Sequence, residues 1–103
     1  MIYMESTLTL QPGKMAAYRQ VEGSMYPLME KAGMKVIGSW VTVIGNANEL
    51  SVIVASEDMG KLEKSAMALT QSKEYQAVMQ KMEPLLISHT RRIMMPMPTS
   101  PLK

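Results

Sequence analysis

The spacing of apolar residues in this chain switches between two periods and back, and the order of those switches limits the fold more than any single motif does. Ile2 to Leu10 alternates: Ile2, Met4, Leu8 and Leu10 share one face, and Tyr3, Glu5, Thr7 and Thr9 share the other. That is the pattern of a half-buried strand. Gln11-Pro12-Gly13 interrupts it, because proline has no amide to give a ladder and glycine can adopt a positive φ. From about Lys14 the spacing becomes three and four, through Tyr18, Val21, Met25, Leu28, Met29 and Ala32, and predicts a helix with one stripe toward a core. Pro27 lies within that stripe and cannot donate to the carbonyl of Gly23, so a kink or break is expected near residues 23 to 27. Gly33 fits a left-handed cap at the helix end.

Alternation returns at Met34 to Ile44 and again at Leu50 to Ala55. The intervening Gly45-Asn46-Ala47-Asn48 reads as a hairpin loop, since glycine and asparagine tolerate tight turns. Strict alternation puts Val36 and Trp40 on one side of the second strand and Ile37, Val41 and Val43 on the other. Glu57-Asp58 then places two acids where the exposed amides of a helix N-terminus would sit. Met59, Leu62, Ala66 and Leu69 form the next stripe, and Ser72 reads as a fresh N-cap for a second piece carrying Tyr75, Val78, Met79 and Met82. Pro84 ends or distorts that piece. Ile87 to Met95 is a last strand, with Ile87, His89, Arg91 and Ile93 opposed to Ser88, Thr90, Arg92 and Met94.

The resulting order is β-α-β-β-α-β with a divided second helix. It implies an α+β fold of the ferredoxin-like class, an antiparallel four-stranded sheet with its helices on one face. At 103 residues the chain is expected to form one domain over residues 1–95, followed by a proline-punctuated tail over 96–103. Aliphatic side chains fall on both sides of the central strands, so the helix-free face is expected to bury itself against a second copy, giving a homodimer.

Composition narrows the function classes. The 11 Lys and Arg are scattered among 9 Asp and Glu, with only Arg91-Arg92 adjacent, so no phosphate-binding patch and no nucleic-acid partner is expected. With no cysteine and one histidine, disulfides, thiolate chemistry and multi-histidine or sulfur metal sites are excluded, and no cofactor is expected. No segment has the roughly 18 apolar residues of a membrane span, and the expected location is the cytoplasm.

Four segments together resemble the NIPSNAP family of the dimeric α/β-barrel superfamily: L-T-L-Q-P-G-K at 8–14, G-S-W-V-T-V-I-G-N-A-N at 38–48, Ser72 to Tyr75 with the helix after it, and P-L-L-I-S-H-T-R-R-I-M-M-P at 84–96. The resemblance implies a barrel made by two sheets of a homodimer and a cavity in each protomer between sheet and helices. Its superfamily includes cofactor-free monooxygenases and haem-degrading enzymes, whereas NIPSNAP-like proteins mostly have no settled reaction. Against the family pattern, Ser6 and Leu8 stand where an arginine and a tyrosine are usual. Val52, Val54 and Ser56 replace a histidine, tryptophan and tyrosine set, and Leu62 replaces an arginine. Polar and aromatic groups have given way to aliphatic or small ones, which favours an apolar ligand or a lost activity.

The candidate site residues follow from chemistry. Trp40 and Thr42, with Gly38 leaving room beside them, offer a flat wall, one N–H donor and one hydroxyl, so Tyr18, Trp40 and Thr42 are the expected pocket residues. Against this stands a core tryptophan packed over a glycine. His89 is the only candidate general base, and Arg92 the arginine assigned to catalysis, although Arg91 and Arg92 point to opposite faces and at most one can enter a given cavity. A hydrogen-bonded sheet histidine and a rim salt bridge are the plain alternatives. Glu5 is expected to pair across the sheet or the dimer seam. The 13 methionines, in a chain without phenylalanine, are expected to fill the core or to leave it deformable. Binding of a small apolar ligand is the reading these residues favour; a cofactor-free monooxygenase acting on polyphenolic or quinone-like substrates is the alternative, and a ligand-free dimerisation module the third.

Overall fold

The structure, a computed structural model, describes residues 1–103. Four strands, β1 (Ile2–Leu10), β2 (Lys35–Val41), β3 (Glu49–Ser56) and β4 (Leu86–Met94), form one antiparallel sheet in the order β2-β3-β1-β4. Helix α1 (Met15–Lys31) connects β1 to β2, and helices α2 (Met59–Gln71) and α3 (Lys73–Met82) connect β3 to β4, with a short 3-10 turn at Glu83–Leu85. This is the expected ferredoxin-like arrangement. The first strand lies inside the sheet and pairs on both sides, with β3 and with β4.

The register separates the two faces of the sheet. Met4 opposes Val54 and Ile93, Ser6 opposes Val52 and Arg91, and Leu8 opposes Leu50 and His89, so these residues share the face that the helices cover. The buried core lies there, with Leu8, Leu10, Leu50, Val52 and Val54 meeting Tyr18, Met25, Met29, Leu62, Leu69 and Met82 from the helices. The other face carries Tyr3, Glu5, Thr7 and Thr9 beside Ser51, Ile53, Ala55, Thr90, Arg92 and Met94. No helix packs over it.

Local rules account for the element ends. Gly33 has φ +103° just beyond α1, as a left-handed cap requires. The Asp58 carboxylate accepts from the Lys61 amide at 2.8 Å, and the Ser72 hydroxyl accepts from the Tyr75 amide at 3.2 Å, so each half of the divided second helix has its own N-cap. The Glu83–Leu85 turn absorbs Pro84. No helix is long and apolar enough to cross a membrane.

Three expectations need correction. Helix α1 runs unbroken through Pro27, so the break, one of the two outcomes expected there, does not occur. Gly23 and Pro27 are both exposed, so the carbonyl that proline leaves without a partner can turn to water. The second strand stops at Val41 rather than Ile44. Gly45 takes φ +126°, and the Asn46 side chain accepts from the Asn48 amide at 3.1 Å, so local turn bonds claim the backbone early and leave Val43 and Ile44 90% and 95% exposed.

The third correction concerns side-chain direction. The β2–β3 register shifts between Val36 and Gly38, leaving Ile37 as an extra residue. A single extra residue reverses every later side chain. Val36 faces the helices, but Trp40, expected on the same side, pairs with Ser51 and faces away from them.

Candidate functional site

The floor of the site comes from the first, third and fourth strands. Ser6, Leu8, Val52, Val54, His89, Arg91 and Ile93 alternate onto one surface, and α1, α2 and α3 cross above it with Met25 and Met29, Leu62 and Ala66, and Tyr75 and Met82. Between floor and helices lies a cavity of about 500 Å³, in the range of small-molecule sites. Of its 21 lining residues 15 are hydrophobic, and seven of the 13 methionines are among them. Unbranched thioether side chains in place of rings leave such a space open yet adaptable.

Polar groups enter this cavity at its β4 edge. Arg91 is the register partner of Ser6, and His89, two residues along the same strand, is the partner of Leu8. Same-face neighbours on a strand stand roughly 7 Å apart and directly opposed residues about 5 Å, so Ser6, His89 and Arg91 are neighbours on the cavity face. The Nε2 atom of His89 is buried with no hydrogen-bond partner. Burial, reinforced by the Arg91 charge, holds the imidazole pKa below its ordinary value. Arg91 is exposed at the rim and takes part in neither of the two ion pairs of the molecule. Glu63, Thr70, Tyr75 and Glu83 supply the remaining polar lining from the helical side.

Arg92 lies on the opposite face. Its Nε donates to the Glu5 carboxylate at 2.6 Å, which realises the cross-sheet pair expected for Glu5 and keeps Arg92 away from the cavity. The arginine at the cavity is therefore Arg91. Strand alternation with His89 and Ile93 was the signal that identifies it.

Tyr18, Trp40 and Thr42 do not line the large cavity. Tyr18 is buried beside a smaller hollow of about 150 Å³ between α1 and β2, which Arg19, Glu22, Ser39 and Trp40 also border. Thr42 borders neither space. The indole of Trp40 lies over Gly38 and is 53% exposed, and a Cβ added to Gly38 would stand 3.0 Å from the ring. The glycine thus makes the room that the sequence indicates, on the face away from the helices. The hydroxyls of Tyr18 and Tyr26 are buried without partners. Burial pushes both phenol pKa values up, with the Glu22 carboxylate adding to the effect, and Tyr26 reaches about 12. Neither is suited to ionise near neutrality.

The sequence matches the NIPSNAP family model over residues 3–101. The chain belongs to the NIPSNAP family. Atu4242 from Agrobacterium tumefaciens, a NIPSNAP family protein of unknown function, superposes with a TM-score of 0.87 at 25% identity, covering 100% of this chain and 94% of that one. An uncharacterised NIPSNAP domain protein from Burkholderia xenovorans gives a TM-score of 0.90 at 17% identity, covering 98% and 99%. The same fold extends to an antibiotic biosynthesis monooxygenase with a TM-score of 0.73 at 9% identity, over 95% of this chain and 100% of that one. No curated protein matches the sequence. NIPSNAP membership accounts for the scaffold, and the chemistry of this member rests on its own cavity residues.

Proposed function

We propose that this NIPSNAP protein binds a small apolar molecule in the cavity between sheet and helices, and that it does so as a homodimer joined through the helix-free faces. The observation that carries the reading is the cavity of about 500 Å³, walled mostly by methionine and aliphatic side chains, with Ser6, His89 and Arg91 on its sheet side. A ligand there gains from burial of apolar area on both sides. For the dimer, the support is an open face that mixes Trp40, Ile53, Tyr3 and Met94 with short polar side chains. A second sheet can cover the Glu5–Arg92 pair without stranding either charge, because the two already neutralise each other.

Trp40 lies outside the large cavity, so an external reporter suits the binding test. Aminoanthracene, a neutral apolar dye, is expected to gain fluorescence on binding. Ala66→Trp, which adds a ring to the helical wall of the cavity, is expected to abolish that gain while the circular dichroism spectrum stays native. Absence of any gain with the unaltered protein would sink the proposal.

A second reading is favoured by the unpartnered Nε2 of His89 at the cavity floor. A neutral imidazole there can accept the proton of a bound polyphenol, which activates the resulting phenolate toward dioxygen in a cofactor-free monooxygenase. This reading requires oxygen consumption with a dihydroxynaphthalene and its loss in His89→Ala.

A further inference from the structure

Three features compete for a use: the small hollow at Tyr18, the exposed hairpin tip at Val43 and Ile44, and the polar cluster on β4. The cluster alone combines a space for a ligand with groups that would select its chemistry. The geometry points to an apolar monocarboxylate as the ligand class, with its tail among the methionines and its carboxylate at the β4 edge against Arg91, Ser6 and His89.

This inference rests on the cavity reading above and adds the identity of the head group. Arg91 is charged, lines the cavity and has no carboxylate partner in the protein, although Glu63 and Glu83 also line the space. A guanidinium presents paired N–H groups that match the two oxygens of a carboxylate, and charge-assisted bonds of that kind are stronger than neutral ones. Ser6 stands opposite Arg91 on the neighbouring strand and adds a hydroxyl donor. The Nε2 of His89 has no partner in the protein, and in the Nε2–H tautomer it can donate to a carboxylate oxygen.

The position of Arg91 also defines the orientation. It is exposed at an edge strand, whereas Leu8, Val52, Val54 and Met82 lie fully inside. The carboxylate therefore stays at the rim, where water offsets part of its desolvation, and only the apolar tail enters. Glu63 and Glu83 at the helical side of the cavity disfavour an anion there. One acidic group fits this arrangement. A second acidic group at the far end of the tail would lack a cation.

The test compares octanoate with octanol on protein carrying carbon-13 methyl methionine, because the seven cavity methionines report occupancy directly by NMR. Octanoate is expected to bind about tenfold more tightly than octanol at neutral pH, and Arg91→Gln is expected to erase the difference while leaving octanol binding intact. Arg92→Gln removes the same charge one residue away on the other face and is expected to leave the preference unchanged. Equal affinities in the unaltered protein, or a preference that survives Arg91→Gln, would overturn the carboxylate assignment and leave the cavity reading standing. If neither compound shifts the cavity methyls, the cavity reading itself fails, and this inference with it.

Discussion

The two faces of the sheet are built from the same four strands and have opposite characters. On the helix side Leu10 is 1% exposed, Val54 2% and Leu8 4%, and stability there comes from excluding water over a continuous apolar contact. On the open side Thr7, Thr9, Ser51 and Thr90 alternate with Tyr3, Ile53 and Trp40, and the one strong polar contact is the Glu5–Arg92 pair. Both faces carry an arginine from the same dipeptide. Arg92 is spent on an internal pair, whereas Arg91 is left without a partner beside a cavity. A charge whose role is structural and a charge available to a ligand are thus separated by the thickness of one strand.

Substitutions can break that contrast in order of size. Leu10→Ala on the covered face is expected to lose about 2 to 5 kcal/mol in urea denaturation, because it removes buried apolar atoms and leaves a void, whereas Thr7→Ala on the open face is expected to lose under about 1 kcal/mol. Equal costs would mean that the faces do not differ in packing.

The open face should instead be sensitive in assembly. Ile53→Lys introduces a charge in the middle of the proposed seam. It is expected to convert a dimer into a folded monomer in sedimentation analysis, and a monomeric unaltered protein would contradict the proposed pairing of sheets.

Smaller effects sharpen the contrast within the polar groups. A double-mutant cycle on Glu5 and Arg92 is expected to give a coupling below about 1 kcal/mol, because Arg92 remains largely in water. The cycle needs a monomeric background that keeps Ile53, since a lysine there would stand opposite Glu5. For His89 the sign follows from its lowered pKa in the folded state. As pH falls through the ordinary histidine value near 6.5, the unfolded chain takes up the proton first, so stability declines and then levels off below the folded pKa. In His89→Gln that part of the pH profile is expected to flatten, as followed by urea denaturation at successive pH values.

Much of this architecture could be read from residue spacing. Alternation in Ile2 to Leu10 identified the first strand and its two faces, and the acids at Glu57-Asp58 and the serine at Ser72 marked helix starts that the structure realises through side-chain caps. Those signals are local, and local rules decide them. The direction of Trp40 depends on the Ile37 bulge, which is a mismatch between two strands and leaves no mark in either one alone. Pro27 failed to break α1 because its surroundings are wet, a fact of tertiary placement. The cluster at Ser6, His89 and Arg91 was half legible: alternation grouped His89 with Arg91, but only the β1–β4 register brings Ser6 to them.

The bulge at Ile37 also has an evolutionary meaning. It acts as a parity bit for the distal part of β2. Deleting Ile37 would leave Gly38 and Trp40 on the faces they have, whereas closing the bulge with Ile37 kept in the ladder would slide each later residue one step along β3 and turn Trp40 to the helix side. A lineage could move its indole from the outer surface of the sheet to the inner one by losing the bulge without losing a residue.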